Sequence, residues 1–171
     1  MQLVLMIMHT KEKEITVNMG EIKFSHKPAV FSCSGLGSCV LLFVYEPNST
    51  ISGVAHIMLP DSSSARDADN KALYADTSTK LLIQKLLSIG ATQEKLKAKI
   101  VGGANLFSWA NSHQMARLGE YNIDRVKTEL IKNKIYIAAE EVGGTMYKTA
   151  RCHSLTGKIV IKVEKDHEKV I

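Results

Sequence analysis

The apolar positions of the chain alternate with polar ones in some stretches and run together in others. Residues 15–19 (ITVNM) alternate, the period of a half-buried strand. Residues 38–45 (SCVLLFVY) form an apolar run rich in β formers, residues 46–50 (EPNST) carry turn chemistry, and residues 51–58 (ISGVAHIM) resume the run until Pro60 stops it. Together they predict a buried antiparallel hairpin. The small, polar residues 61–70 predict a loop. From 72 to 89, Ala75, Thr79, Leu82, Leu86 and Ile89 recur at spacings of four and three, which predicts an amphipathic helix closed by Gly90. A second helix carries Ile123, Val126, Leu130 and Ile131, with Asn122 as its N-cap. Further strands are expected at 98–101, 135–140 and 158–164. Two or three helices with six or more strands, some in hairpins and some after helices, predict an α/β (mixed α+β) fold. The expected architecture is a single-domain layered sandwich with a mixed, partly antiparallel sheet. Residues 1–14 read as an N-terminal extension or first strand, 15–164 as the domain, and 165–171 as a C-terminal tail.

Composition narrows the function. The 171 residues fit one domain with a core large enough to need no staples. Net charge is +5, but aromatics are only 6%, too few for a basic surface interleaved with stacking residues, so nucleic acid is not expected as a partner. No apolar run reaches the 18 or so residues of a membrane-spanning helix, so membrane insertion is not expected either. Cys33, Cys39 and Cys152 are odd in number and lack metal-finger spacing, which argues against a disulfide framework or structural zinc. Met1 to Met8 carry no basic segment and no small-residue cleavage site. The reading is a cytoplasmic protein with reduced thiols.

The hairpin holds the candidate chemistry. With its loop centred on Asn48, opposed residues sum to about 96, so Cys39 faces residue 57, one step from His56. One residue of register decides whether the two share a face. If they do, the imidazole can take the thiol proton and make a nucleophile. The preceding Ser34-Gly35-Leu36-Gly37-Ser38 segment is small enough to expose backbone N–H groups near Gly37 and Ser38 for an oxyanion. The plainer reading stays open: a cysteine in an apolar strand is commonly a small buried hydrophobe, and a histidine there a satisfied core residue.

Two elements at this interval are recognisable. Gly35-Leu36-Gly37-Ser38-Cys39-Val40, followed by Ala55-His56-Ile57-Met58-Leu59-Pro60-Asp61, resembles the CheD family of chemoreceptor glutamine deamidases. Tyr74-Ala75-Asp76, Gly102-Gly103-Ala104 with Phe107, Asn122 at the start of a helix, Gly143-Gly144 and Thr156-Gly157 extend the resemblance over about residues 15 to 164. It implies a CheD-like α/β sandwich, similar to the catalytic domains of certain deamidating toxins. It also implies hydrolysis of receptor glutamine side chains to glutamate with release of ammonia. Cys39 is then the nucleophile and His56 the base and acid, with no metal or organic cofactor. The implied partners are chemoreceptor cytoplasmic domains and, for many members, a CheC-type phosphatase; the chain alone is expected to be a monomer.

Two positions depart from the family pattern. Six residues before the nucleophile the family has a threonine that orients the histidine as a third member, and Cys33 stands there instead. A thiol is a weaker hydrogen-bonding group than a hydroxyl. Tyr147-Lys148 replaces a Gly-Arg pair after the double glycine, keeping the charge but losing the planar fork. These departures motivate an alternative: a largely non-catalytic docking module that binds a CheC-type phosphatase or chemoreceptors.

Overall fold

A computed structural model describes residues 12–63, 65, 69–106, 113–164 and 167–171. Among the described residues, ten strands form two five-stranded sheets. The strands are β1 (Lys13–Thr16), β2 (Ile22–Ser25), β3 (Ala29–Leu36), β4 (Val40–Tyr45), β5 (Ser52–Ile57), β6 (Lys97–Gly102), β7 (Tyr136–Val142), β8 (Lys148–His153), β9 (Ile159–Glu164) and β10 (His167–Val170). The first sheet has the order β1-β3-β8-β9-β10, the second β2-β5-β4-β6-β7. Each is mixed, with one parallel pair (β1 with β3, β6 with β7) among antiparallel ones. Helices α1 (Ala75–Ser88), α2 (His113–Ala116) and α3 (Leu118–Lys132) complete the described elements, with short 3-10 turns at Lys71–Leu73 and Gln93–Lys95.

The order of layers follows from β4, whose six residues are all buried. A strand reads as a continuous apolar run when both of its faces are covered. Val40, Leu42 and Val44 pack with Leu82 and Leu86 of α1 and Val126 and Leu130 of α3. Leu41, Phe43 and Tyr45 point the other way, into a core shared with Phe31 and Cys33 of β3, Ala150 and Cys152 of β8, and Ile159 and Ile161 of β9. The molecule is therefore helix layer, sheet, sheet. The second sheet is the middle layer and carries the predicted hairpin.

Several sequence expectations change at this level. The helix predicted from Asn122 begins one turn earlier, at Leu118, so Asn122 is not its N-cap but a fully buried residue inside it. Ile131 lies off the buried stripe and is 70% exposed. The residues read as a tail include β10, which pairs antiparallel with β9. Phe107, one of the residues of the resemblance, lies outside the described residues. Among the described residues no helix is long and apolar enough to cross a membrane.

Candidate functional site

The chain leaves β3 in the first sheet and enters β4 in the second through Gly37-Ser38-Cys39. This crossing turns the segment back on itself, so Cys33 and Cys39 both face the core between the sheets. The hairpin pairs Val40 with Ile57 and Leu41 with His56, so opposed residues sum to 97 rather than the expected 96. That single step decides the face. Continuing the register sets Cys39 opposite Met58 instead of residue 57. Alternate residues share a face, so Cys39 and Leu41 lie on the same side as His56. Cys39 and His56 are then diagonal neighbours at the end of the hairpin far from its turn. Cys39 is 9% exposed and His56 only 2%.

The described side-chain contact of His56 is with the opposite sheet. Cys33 Sγ lies 3.2 Å from His56 Nδ1. The other ring nitrogen, Nε2, is buried with no aligned hydrogen-bond partner among the described residues. Burial pushes the imidazole below its ordinary value, while the nearby Val17 backbone acts in the opposite sense. Burial also raises the Cys39 thiol, against a lowering contribution from its own backbone N–H. Cys33 is pushed up to about 12 by burial and by the neighbouring Cys39. Thiol and imidazole are thus both neutral near pH 7. Both shifts favour the neutral pair over an ion pair.

The Cys39 segment is held by its carbonyls. Ala104 N–H donates to Gly37 O (2.8 Å), and Gly103 N–H donates to Cys39 O (2.7 Å). Between them, Asn122 Nδ2 donates to Ser38 O (3.0 Å) and to Met58 O (2.9 Å). Two glycines permit the close approach. A Cβ on Gly102 (φ +110°) would stand 2.3 Å from Cys39 O, and one on Gly37 would meet Leu106 and Tyr147.

The other residues of the resemblance, and the remaining histidines and cysteine, sit in structural surroundings of their own. Asp61 accepts from Ser63 N–H (2.7 Å) and pairs with Arg125 (3.3 Å). Asp76 accepts from Ser62 Oγ (2.7 Å), tying the loop to α1. Gly157 is needed against the ring of Tyr45, at the end of β4 remote from Cys39. His153 pairs with Glu12, while Cys152 is fully buried beside Phe31. Lys148 is buried, and its Nζ donates to Gly143 O (2.6 Å), so the single ammonium serves one carbonyl. His26, His113 and His167 are exposed. Asn122 was legible only in part: Asn122, Val126 and Leu130 recur every four residues, which marks a polar residue on a buried stripe.

Comparison with known proteins bears on this site. The family model described as CheD chemotactic sensory transduction matches residues 58–163. A relative from Halalkalibacterium halodurans, named chemoreceptor glutamine deamidase CheD, is 39% identical over 158 residues, which is 92% of this chain and 98% of that one. The chain belongs to the CheD family. Relatives from Lachnoclostridium phytofermentans and Desulfitobacterium hafniense, both named probable chemoreceptor glutamine deamidase CheD, are each 36% identical. They cover 91% and 92% of this chain, and 98% of their own lengths. The CheD family-model match begins two residues after His56, and the pairwise alignments reach across the hairpin by their length. A solved structure of a Bacillus licheniformis hypothetical protein, YfiH, overlaps 84% of this chain and 68% of that one at a TM-score of 0.43 and 13% identity, too distant a likeness to bear on fold or function.

Proposed function

We propose that this CheD-family chain is a protein-glutamine deamidase that converts selected glutamine side chains of chemoreceptors to glutamate. The observation that carries the reading is the common face of Cys39 and His56 at one end of the hairpin. The relatives' names supply the substrate class. His56 takes the Cys39 proton as Sγ attacks the carboxamide carbon of the glutamine. The imidazolium returns that proton to the leaving nitrogen, the C–N bond breaks, and ammonia departs from a thioester. His56 then takes a proton from water. The hydroxide adds to the thioester carbon, the C–S bond breaks, and the proton returns to sulfur. Backbone N–H groups near Gly37, Ser38 and Cys39 stabilise the oxyanion in both steps. Cys33 occupies the orienting position beside His56. The reaction calls for no metal or organic cofactor, and the protein works as a cytoplasmic monomer beside receptor cytoplasmic domains, with a CheC-type phosphatase as a second partner.

The test is the intact mass of a receptor cytoplasmic fragment after incubation with the protein. Each conversion adds about 1 Da, because an acid replaces an amide at the end of the acyl-enzyme sequence. The gain is expected with wild type and lost in Cys39→Ala and His56→Ala. Gains that persist in Cys39→Ala sink the reading. One observation favours a second reading: a thiol, not a hydroxyl, contacts His56. Receptor or phosphatase binding that survives Cys39→Ala, with no mass change in wild type, identifies a docking module.

A further inference from the structure

The ladder between β4 and β5 ends at Val40 and Ile57, so the next two residues, Cys39 and Met58, lie beyond its last pair. Met58 N–H and Leu59 N–H both turn to Leu73 O (2.9 and 3.0 Å). The carbonyls of Ser38 and Met58 converge on one buried amide, that of Asn122 in α3. The amide spends both of its N–H donors on them, while no described residue donates to its Oδ1. A buried polar group that leaves its own acceptor empty is costly, so the gain has to lie in what its donors hold.

Ser38 C=O and Cys39 N–H belong to one trans peptide. In such a plane the C=O and N–H point in opposite directions. Drawing Ser38 O toward α3 turns Cys39 N–H away from the helix, to the side of its own sulfur, which that N–H already favours as an anion. Leu41, two residues on along the same face, looks into the core that Cys39 shares. The two other anchors, Gly103 N–H on Cys39 O and Ala104 N–H on Gly37 O, fix the neighbouring peptides but not this one. The geometry points to Asn122 as a positioning residue that aims Cys39 N–H at the reacting oxygen, a role that rests on the deamidase reading for its chemistry but not for its geometry. A second consequence follows from the same amide. By holding Met58 O as well, it ties the strand of His56 to the strand of Cys39 where the ladder has run out.

The test uses the full chain labelled with 15N at cysteine, which gives three backbone amide resonances for Cys33, Cys39 and Cys152. In Asn122→Ala the Cys39 resonance is expected to move while that of Cys152 stays in place. On a receptor fragment, kcat is expected to fall roughly 10- to 100-fold, as for a misdirected oxyanion donor, with KM changed by less than about twofold. An unmoved Cys39 resonance, an equal shift at Cys152, or kcat within about twofold of wild type overturns the proposal. Where Asn122→Ala does not fold, Asn122→Gln carries the same readouts under the same criteria, because it keeps the amide and displaces only its reach. A wild-type protein that releases no ammonia, together with a Cys39-confined shift in the variant, sinks the deamidase reading and leaves the aiming role standing.

Discussion

Cys33 Sγ and His56 Nδ1 are 3.2 Å apart, and they come from strands of different sheets. The thiol holds the place where the family pattern has a hydroxyl. It is too strongly buried to ionise near neutral pH, so it acts on the imidazole as a weak neutral partner. Cys33→Ala should therefore lower kcat for receptor deamidation by about tenfold with KM little changed, since orientation matters most in the transition state. Cys33→Ser should keep or exceed the wild-type rate because a hydroxyl bonds the ring better. Equal rates for all three proteins would remove Cys33 from the mechanism.

The pH profile follows from the neutral pair. His56 accepts a proton only when uncharged, and burial lowers its value. The acid limb of kcat/KM should have its midpoint below the ordinary histidine value of about 6.5. The same shift has a sign for stability. Below about 6.5 the unfolded chain takes up a proton that the folded chain resists, so stability present above that pH is lost as pH falls toward the depressed value. Urea midpoints should drop on that acid side in wild type and drop less in His56→Gln. An acid limb centred above the ordinary value would contradict the buried neutral base.

Gly102 tests how tightly Cys39, the proposed nucleophile, is held. Its backbone has a positive φ of 110°, and a Cβ there would stand 2.3 Å from the carbonyl of Cys39. Gly102→Ala is strained by conformation and contact together. It should cost roughly 2–4 kcal/mol in urea unfolding, within the range for forced backbone strain and overpacking. Activity should fall further than stability explains, because what yields is the Cys39 peptide. Gly143→Ala, where a Cβ meets nothing within 4 Å, shares the positive φ without the contact and should cost less.

Glu129 offers a contrast in direction. Its side chain is fully buried in α3, yet Arg125 (3.4 Å), Lys132 (3.1 Å) and Lys80 (3.7 Å) reach it from partly exposed positions. Removing the anion frees cations that can return to water, so Glu129→Met should cost less than about 1 kcal/mol. Removing Arg125 and Lys132 together leaves the buried carboxylate with the more distant Lys80 alone and should cost about 3 kcal/mol. Urea unfolding of the two variants measures the asymmetry, and equal losses would refute it.

The legibility of the fold in the sequence follows side-chain size. The β4–β5 hairpin, α1, β6, β7 and β9 stand out because their inward positions are large and aliphatic. Strands β3 and β8 do not. Their inward residues include Cys33, Ala150 and Cys152, and their outward ones Ser32, Thr149 and Arg151, so the contrast between faces is faint. Missing β3 hides the outer sheet, and with it the way Cys33 reaches His56. The hairpin register differs by one from the sequence expectation because a loop that centres between Asn48 and Ser49 looks almost the same in sequence as one centred on Asn48. Asn122 reads as a cap because asparagine at the start of an apolar stripe usually is one. Its real partners, Ser38 and Met58, are 84 and 64 residues away.

The crossing from β3 to β4 gives the protein an internal caliper. One jaw is Cys33 on the outer sheet, the other His56 on the middle sheet, and the spacing of the two sheets sets the 3.2 Å gap between them. Phe31, Phe43, Ile159 and Ile161 set that thickness, although none of them belongs to the reacting pair. Trimming or swelling one of these side chains changes the distance at which His56 is steadied, so that on the deamidase reading the rate is adjustable from the interior.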